Sequence, residues 1–228
     1  MKIVSKRDET LKSALTLNQT ITNYSKDEII QFGLNEGIRL TDSECGFLHF
    51  ITQDQKYYSY QLWLQDSENK YINVETKSIP VDNSILGTES IYNKEPVINN
   101  SYNKPYKQSH LKESDCIINK YLTVPIFEDD NIKAVIGVLN KKNKYELFDI
   151  DQLALIAETI ISIVNRKEAE YNLQESKNFL GNIIDNLPLG LQVFNSEGVS
   201  MRINDSFVHL IGLEDKYIGI GEFNVLTN

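Results

Sequence analysis

The chain has 228 residues, 41% apolar and 10% aromatic, with a formal net charge of −9. That suits one or two globular domains. The acid excess disfavours nucleic acid, whose binding needs a basic face to displace counterions, and disfavours anionic membranes for the same reason.

Leu11, Leu15, Leu17 and Ile21 predict a first helix with a loosely defined apolar face. Ser25 and Glu28 have the spacing of a capping box. Beyond them Ile29, Ile30, Phe32, Leu34, Ile38 and Leu40 recur at helical period up to Thr41. Residues 45–51 and 57–64 predict strands; in the second, Tyr58, Tyr60, Leu62 and Leu64 share one face, with Tyr57 and Trp63 on the other. Residues 71–79 alternate again and end at Pro80. Residues 85–93 predict a short helix after Asp82-Asn83-Ser84, and 96–99 a short strand. A polar stretch follows, 100–115, with Tyr102, Pro105, Tyr106 and His110; connections this long are often binding loops or lids.

A hairpin comes next: strands 121–127 and 132–139 around Glu128-Asp129-Asp130-Asn131. Asn140-Lys141 closes it, and an apolar helix takes over through 153–164. This order implies an α+β domain, an antiparallel sheet with helices packed on it. From Asn165 the chain turns charged and helix-favouring. Leu173, Leu180 and Leu187 are seven apart, with Ala169 and Ile183 on an adjoining row. That pattern fits a short coiled-coil seam or an amphipathic helix on its own domain. After Pro188 come a strand (190–194), a turn (195–198), a strand (199–203), and a short helix capped by Asn204-Asp205-Ser206 and carrying Phe207, Leu210 and Ile211. The expected division is 1–165, a linker helix 166–187, and a unit 188–228 that is small for an independent core.

Residues from about 11 to 165 resemble a GAF domain of the type found in bacterial and archaeal sensor kinases. Tyr121-Leu-Thr-Val-Pro-Ile-Phe127, Ala134-Val-Ile-Gly-Val-Leu-Asn-Lys141, Tyr145, Phe148 and Asp151 carry the match. Gly46-Phe-Leu-His-Phe50, Ile79-Pro80, Pro96-Val-Ile-Asn-Asn100 and His110 support it. Residues 166–176 resemble the helix joining tandem sensory domains. Residues 183–219, with Arg202-Ile-Asn-Asp-Ser-Phe207 and Leu210-Ile-Gly212, resemble the N-terminal half of a PAS domain, so a truncated, partial PAS-like unit is expected. Gly87 and Ser90 stand where relatives often carry Trp and Cys, which unsettles any transfer of a ligand from the family.

The resemblance implies a pocket between one sheet face, the helix 85–93 and the loop 100–115. It would be lined by Phe47, Tyr60, Trp63, Thr88, Asn99, Tyr102, His110 and Thr123. Asn140-Lys141, Phe148 and Asp151 are similar to the motif of cyclic-nucleotide-binding GAF domains, but Gln152 replaces its final Glu. An architectural role for Lys141, Phe148 and Asp151 is expected instead, with the lysine at the strand end facing an aspartate in the helix's first turn.

Cys45 and Cys116 lack zinc spacing. Bilin attachment at Cys116 would need an adjacent His and an Asp-Ile-Pro element, and this chain has neither. Redox catalysis like that of GAF-fold methionine sulfoxide reductases, using Cys116, is the enzymatic alternative; it needs an exposed, electropositive thiol. His49, between Leu48 and Phe50, is read as a core or sheet histidine, with haem or metal ligation as the sharper reading. His209 lacks the helix hairpin of a kinase phosphoacceptor. No phosphate loop, metalloprotease pair or Ser/His/Asp order stands out, so no catalytic residue is assigned.

The expected protein is a cytoplasmic sensory input module of the sensor histidine kinase type. It would bind an unidentified small molecule and relay it through a C-terminal helix to a downstream signalling domain, as a homodimer. Neither nucleic acid nor direct membrane insertion is expected: residues 1–8 lack a signal peptide's apolar core, and no apolar run approaches the ~20 residues that cross a bilayer. A ligand-free dimerisation module is the remaining alternative.

Overall fold

The computed structural model describes residues 2–20, 24–65, 70–74, 79–81, 86–106, 116–212, 220–221 and 224–226. The chain forms two compact units, Met1–Arg166 and Lys167–Asn228.

In the first unit, helix α2 (Lys26–Leu40) starts where the sequence places it. Glu28 N donates to Ser25 Oγ at 3.3 Å, and Ser25 N donates back to the Glu28 carboxylate at 2.7 Å, closing the capping box. Ile29, Ile30, Leu34 and Ile38 form its buried face, each burial worth roughly 1.5–3 kcal/mol. Helix α1 (Lys2–Thr20) buries Thr10, Ser13, Ala14 and Leu17. Leu11 and Leu15, expected on its apolar face, are exposed. Small polar residues take the inner side because they find partners: Gln152 Nε2 donates to Thr10 Oγ1 and Arg39 donates to Ser13 Oγ. Ile21 lies outside the described residues.

The strands are β1 (Cys45–Ile51), β2 (Tyr57–Gln65), β3 (Lys70–Val74), β4 (Ile79–Pro80), β5 (Val97–Asn99), β6 (Lys104–Tyr106), β7 (Cys116–Ile118), β8 (Tyr121–Glu128) and β9 (Asn131–Leu139). Seven of them make one antiparallel sheet, ordered β3-β2-β1-β9-β8-β5 with β4 also on β2. The polar connection 100–115, expected as a binding loop or lid, carries β6, which pairs with β7 in a separate ribbon; residues 107–115 lie outside the described set.

Every residue of β1 is buried, as for a central strand covered on both sides. Leu48 and Phe50 join Leu62, Leu122, Val124, Ile136 and Val138 under α1, α2 and α4 (Leu147–Asp185). Phe47 and Ile51 face the opposite way, into a second cluster with Trp63, Tyr121, Val135 and Leu139. Two glycines permit the close approaches. A Cβ on Gly33 would sit 2.3 Å from Ile160, where α2 meets α4, and one on Gly137 would sit 2.3 Å from the Phe47 ring.

Strand β2 departs from simple alternation. Phe50 pairs with Tyr60 but Ile51 pairs with Tyr58, so Ser59 is an extra, bulged residue. Tyr58 is thereby turned to the Trp63 side of the sheet, and Leu62 stays on the helix side. The expectation that Tyr58 and Leu62 share a face is overturned by that one-residue bulge.

The second unit contains β10 (Gln192–Phe194), β11 (Ser200–Ile203) and α5 (Asp205–Ile211). Its hub is Asn204, fully buried. The Asn204 amide donates to the Ile184 and Leu189 carbonyls, while its Oδ1 accepts from Leu191 N and caps α5 at Phe207 N. Arg202 donates to the Gly181 carbonyl. The last turn of α4 is thus held by side chains from β11 and the α5 cap. Among the described residues of this unit the one buried apolar side chain is Ile203, and Leu189, Leu210 and Leu226 are exposed.

Gly137→Ala is expected to lower the stability of the first unit by about 1–3 kcal/mol, because the Phe47 ring must move. Urea unfolding followed by the fluorescence of Trp63, the sole tryptophan, measures it. Gly181→Ala, in the other unit, leaves that transition unchanged.

Candidate functional site

The second cluster lies on the sheet face away from the three helices. Beside it stands α3 (Thr88–Asn93), which buries Thr88, Ser90 and Ile91. Gly87 precedes α3 with a φ of +95°, and a Cβ there would meet Val135 at 3.0 Å and Phe47 at 3.3 Å. That left-handed backbone is one glycine adopts without strain, so this position does not suit the Trp that relatives often carry.

Polar groups on this face pair with one another. Tyr58 Oη lies 2.9 Å from Thr88 Oγ1, and Ser90 Oγ donates to the Gly87 carbonyl at 2.9 Å and meets Thr123 Oγ1 at 2.8 Å. Tyr121 Oη donates to Glu89 at 3.1 Å, and the Tyr102 ring stands edge-on to Tyr121 at 5.2 Å. Burial, then the Glu89 charge beside it, pushes the Tyr121 phenol up to about 12.

His49 takes no part in these pairs. Its ring is wholly buried, stacked on Phe47 at 4.4 Å, edge-on to Tyr58 at 5.2 Å and 5.7 Å from Trp63. Neither Nδ1 nor Nε2 has a hydrogen-bond partner. Burial alone brings its pKa down to about 3, so the ring is neutral at pH 7. Among the described residues no group of three His, Cys, Asp or Glu is arranged to hold a metal ion.

A second polar centre joins the end of the sheet to the start of α4. Lys141 Nζ donates to Asp149 Oδ1 at 2.6 Å, with both side chains buried. Glu146 N donates to the other carboxylate oxygen at 2.8 Å, so Asp149, the third residue of α4, reaches back to the backbone of the residue before the helix, as a capping box does. Asn140, at φ +58°, accepts from Asn119 N and donates to the Ile117 carbonyl. Lys120 Nζ donates to the carbonyls of Lys141, Lys142 and Asn143. Tyr145 Oη meets Ser43 Oγ, which meets Thr41 at the end of α2.

Of the residues expected to line a pocket, the structure brings Phe47, Trp63, Thr88 and Thr123 to this face. Tyr102 and Asn99 stand half-buried toward its edge; Asn99 Oδ1 accepts from Ser101 N. Tyr60 occupies the register position opposite Phe50, whereas Trp63 is opposite Phe47. His110 lies outside the described residues, and Cys116 is the first residue of β7. Ser90, singled out as a departure from the family, anchors α3 to β8 through its hydroxyl. Sequence reasoning missed Tyr58, because nothing in its neighbours signals the Ser59 bulge. It also named the wrong aspartate: Asp151 is exposed and Phe148 half-buried, while Asp149 takes Lys141. Helix α4 begins at Leu147, which makes Asp149 its third residue.

Residues 23–165 match the model of the GAF domain family. The chain belongs to that family. A curated relative, the methyl sulfide methyltransferase-associated sensor of Methanosarcina acetivorans, is 30% identical over 168 residues. The match covers 72% of this chain but 16% of that protein, so the chain spans a small part of its relative's length. The GAF domain of an Acinetobacter phosphoenolpyruvate-protein phosphotransferase superposes with a TM-score of 0.54 at 15% identity, covering 72% of this chain and 95% of that one. The free methionine-R-sulfoxide reductase of Neisseria meningitidis, solved with its substrate, gives a TM-score of 0.50 at 9% identity, over 74% and 94% of the two chains. At such identities the two structures show the shared fold.

Two outcomes are expected of this GAF domain. Asp149→Ala strands a buried lysine and costs about 3–5 kcal/mol, whereas Asp151→Ala changes stability by less than about 0.5 kcal/mol; chemical denaturation of both variants checks this. The second concerns pH. His49 has a folded pKa of about 3 against an ordinary 6.5, so its contribution is complete above pH 6.5 and is lost as pH falls toward 3. Between pH 6.5 and 5 the wild-type chain loses about 2 kcal/mol more stability than His49→Phe, measured by urea unfolding at each pH.

Proposed function

We propose that this GAF domain is the sensory input module of a signal-transduction protein of the sensor histidine kinase type. It binds a small molecule on the sheet face that carries Phe47, Tyr58 and Trp63, and passes the event to α4. The observation that carries this reading is the division of one sheet between two separate buried clusters. One is a helix-covered core that includes Leu153, Ile156, Ile160 and Val164 of α4; the other is an aromatic cluster edged by hydroxyls. Pockets for small molecules have that composition, mainly apolar with a few placed polar groups. A ligand that alters the packing of β1 and β9 on one face alters what α4 packs against on the other. It biases α4 only as far as its affinity differs between the two arrangements.

Leu173, Leu180 and Ile183 lie exposed on the second half of α4, which supports a homodimer formed through this helix and coupled to a downstream signalling domain. The β10–β11–α5 unit is read as a partial PAS-like element that holds the end of α4. The protein is read as cytoplasmic; no described helix is long and apolar enough to cross a membrane. Cys45 is buried in the apolar cluster, away from the exposed, electropositive setting that a reactive thiol needs, which argues against thiol catalysis there.

The test is a thermal-shift screen of the chain against metabolites and nucleotides. At least one compound is expected to raise Tm saturably, by an amount that grows with the logarithm of its concentration, and Leu180→Glu is expected to shift sedimentation to the monomer. No stabilising compound in a broad set, with an unchanged dimer, makes the chain a ligand-free dimerisation module instead.

A further inference from the structure

His49 occupies the middle of β1, opposite Gln61 on β2 and Val135 on β9. Its ring has no solvent exposure, and aromatic rings surround it on the cluster side. A neutral imidazole carries one N–H donor and one lone-pair acceptor, and here neither meets a partner. An unpaired buried polar group is costly, and an apolar residue of similar shape would avoid that cost. Phenylalanine at position 49 would continue the stack with Phe47 and leave nothing unsatisfied. The neighbouring hydroxyls do not relieve the ring: Tyr58 is engaged with Thr88, and Ser90 with Thr123 and the Gly87 carbonyl.

The charge of the surroundings is equally informative. The ionisable side chains buried among the described residues, apart from histidine, cysteine and tyrosine, are Lys141 and Asp149, and these neutralise each other at the end of the sheet. The rings that meet His49 are uncharged, while at the rim of the cluster Glu89 accepts from Tyr121 Oη and Lys104 lies over the Tyr102 ring. A charged molecule seated among the rings that meet His49 would lose its hydration with no counter-charge against it there. Flat ring walls favour flat guests, because aromatic pairs gain from offset or edge-on contact beyond the area they bury. Of these four rings Trp63 is the one with residual exposure, 8%, while Phe47, His49 and Tyr58 have none.

We propose that His49 is the hydrogen-bonding centre of a site for an uncharged, planar heteroaromatic molecule, seated among Phe47, Tyr58 and Trp63 and held by one imidazole nitrogen. This rests on the sensory reading of the same face and narrows it to a ligand class. The donor–acceptor pair of the ring makes His49 the residue that selects on hydrogen bonding, while the three aromatic side chains select on shape.

The experiment uses adenine and nicotinamide as uncharged probes, and adenosine monophosphate and nicotinate as their charged counterparts. Trp63 is the sole tryptophan, so intrinsic fluorescence of the whole chain reports on this cluster directly. Saturable quenching by at least one uncharged probe is expected, with its charged counterpart at least about tenfold weaker. His49→Phe is expected to fold with an equal or higher Tm and to weaken that probe about tenfold or more. His49→Gln, which keeps a donor and an acceptor, holds affinity within about threefold. Equal response to charged and uncharged probes overturns the proposal, as does undiminished quenching in a folded His49→Phe variant. If His49→Phe does not fold, the charge selectivity of the wild type and the His49→Gln titration decide. Tm shifts by charged metabolites alone, with no response to either uncharged probe, leave the sensory reading standing and refute this one.

Discussion

The buried ion pair between Lys141 and Asp149 is the contact on which the arrangement of the first unit depends. Two charges withdrawn from water are tolerated only when geometry and further hydrogen bonds compensate. Here the carboxylate satisfies the lysine with one oxygen and the N–H of Glu146, just before α4, with the other. The pair therefore fixes the end of β9 and the beginning of α4 together. Asn140, Lys120 and Tyr145 surround it with bonds to the β7–β8 connection, to the carbonyls that follow Lys141 and to the end of α2. Strand, connection and helix start cannot shift independently without stranding one of these charges.

That junction places one sheet between two different environments. On the helix side β1 and β9 contribute Leu48, Phe50, Ala134, Ile136 and Val138 to a core shared with α2 and α4. On the other side the same strands present Phe47, His49 and Val135, and a missing side chain at Gly137 makes room for the Phe47 ring. Packed interiors respond to displacement in discrete steps rather than by smooth deformation. A guest that moves Phe47 acts on a strand whose reverse side supports α4.

Much of this was legible in the residues, and the failures have physical causes. The capping box at Ser25 was readable because both partners lie within one turn and need nothing from the rest of the chain. The strands of the hairpin, expected at 121–127 and 132–139 and each one residue longer at the turn, were readable because β-branched runs flank an acidic, polar turn. Tyr58 was placed on the wrong face because a bulge at Ser59 has no local signature; it follows from how β2 pairs with β1. Asp151 fits the family spacing, but the start of α4 puts Asp149, two residues earlier, against Lys141. The deciding fact, that α4 opens at Leu147, appears only in three dimensions. Leu11 and Leu15 looked like core and are exposed, since the inner side of α1 is held by Thr10 and Ser13 and their long-range partners. His49 was read as a sheet or core histidine; its burial fits that reading, and its lack of any partner could not be read from sequence.

Hydrogen exchange of the whole chain, with and without a compound that raises Tm, bears most directly on the link between the two sheet faces. Slowed exchange is expected in β1 and β9 around Phe47 and Val135, together with a change along α4 between Leu153 and Val164. Protection confined to the strands and α3, with α4 unchanged at saturating compound, would contradict that link.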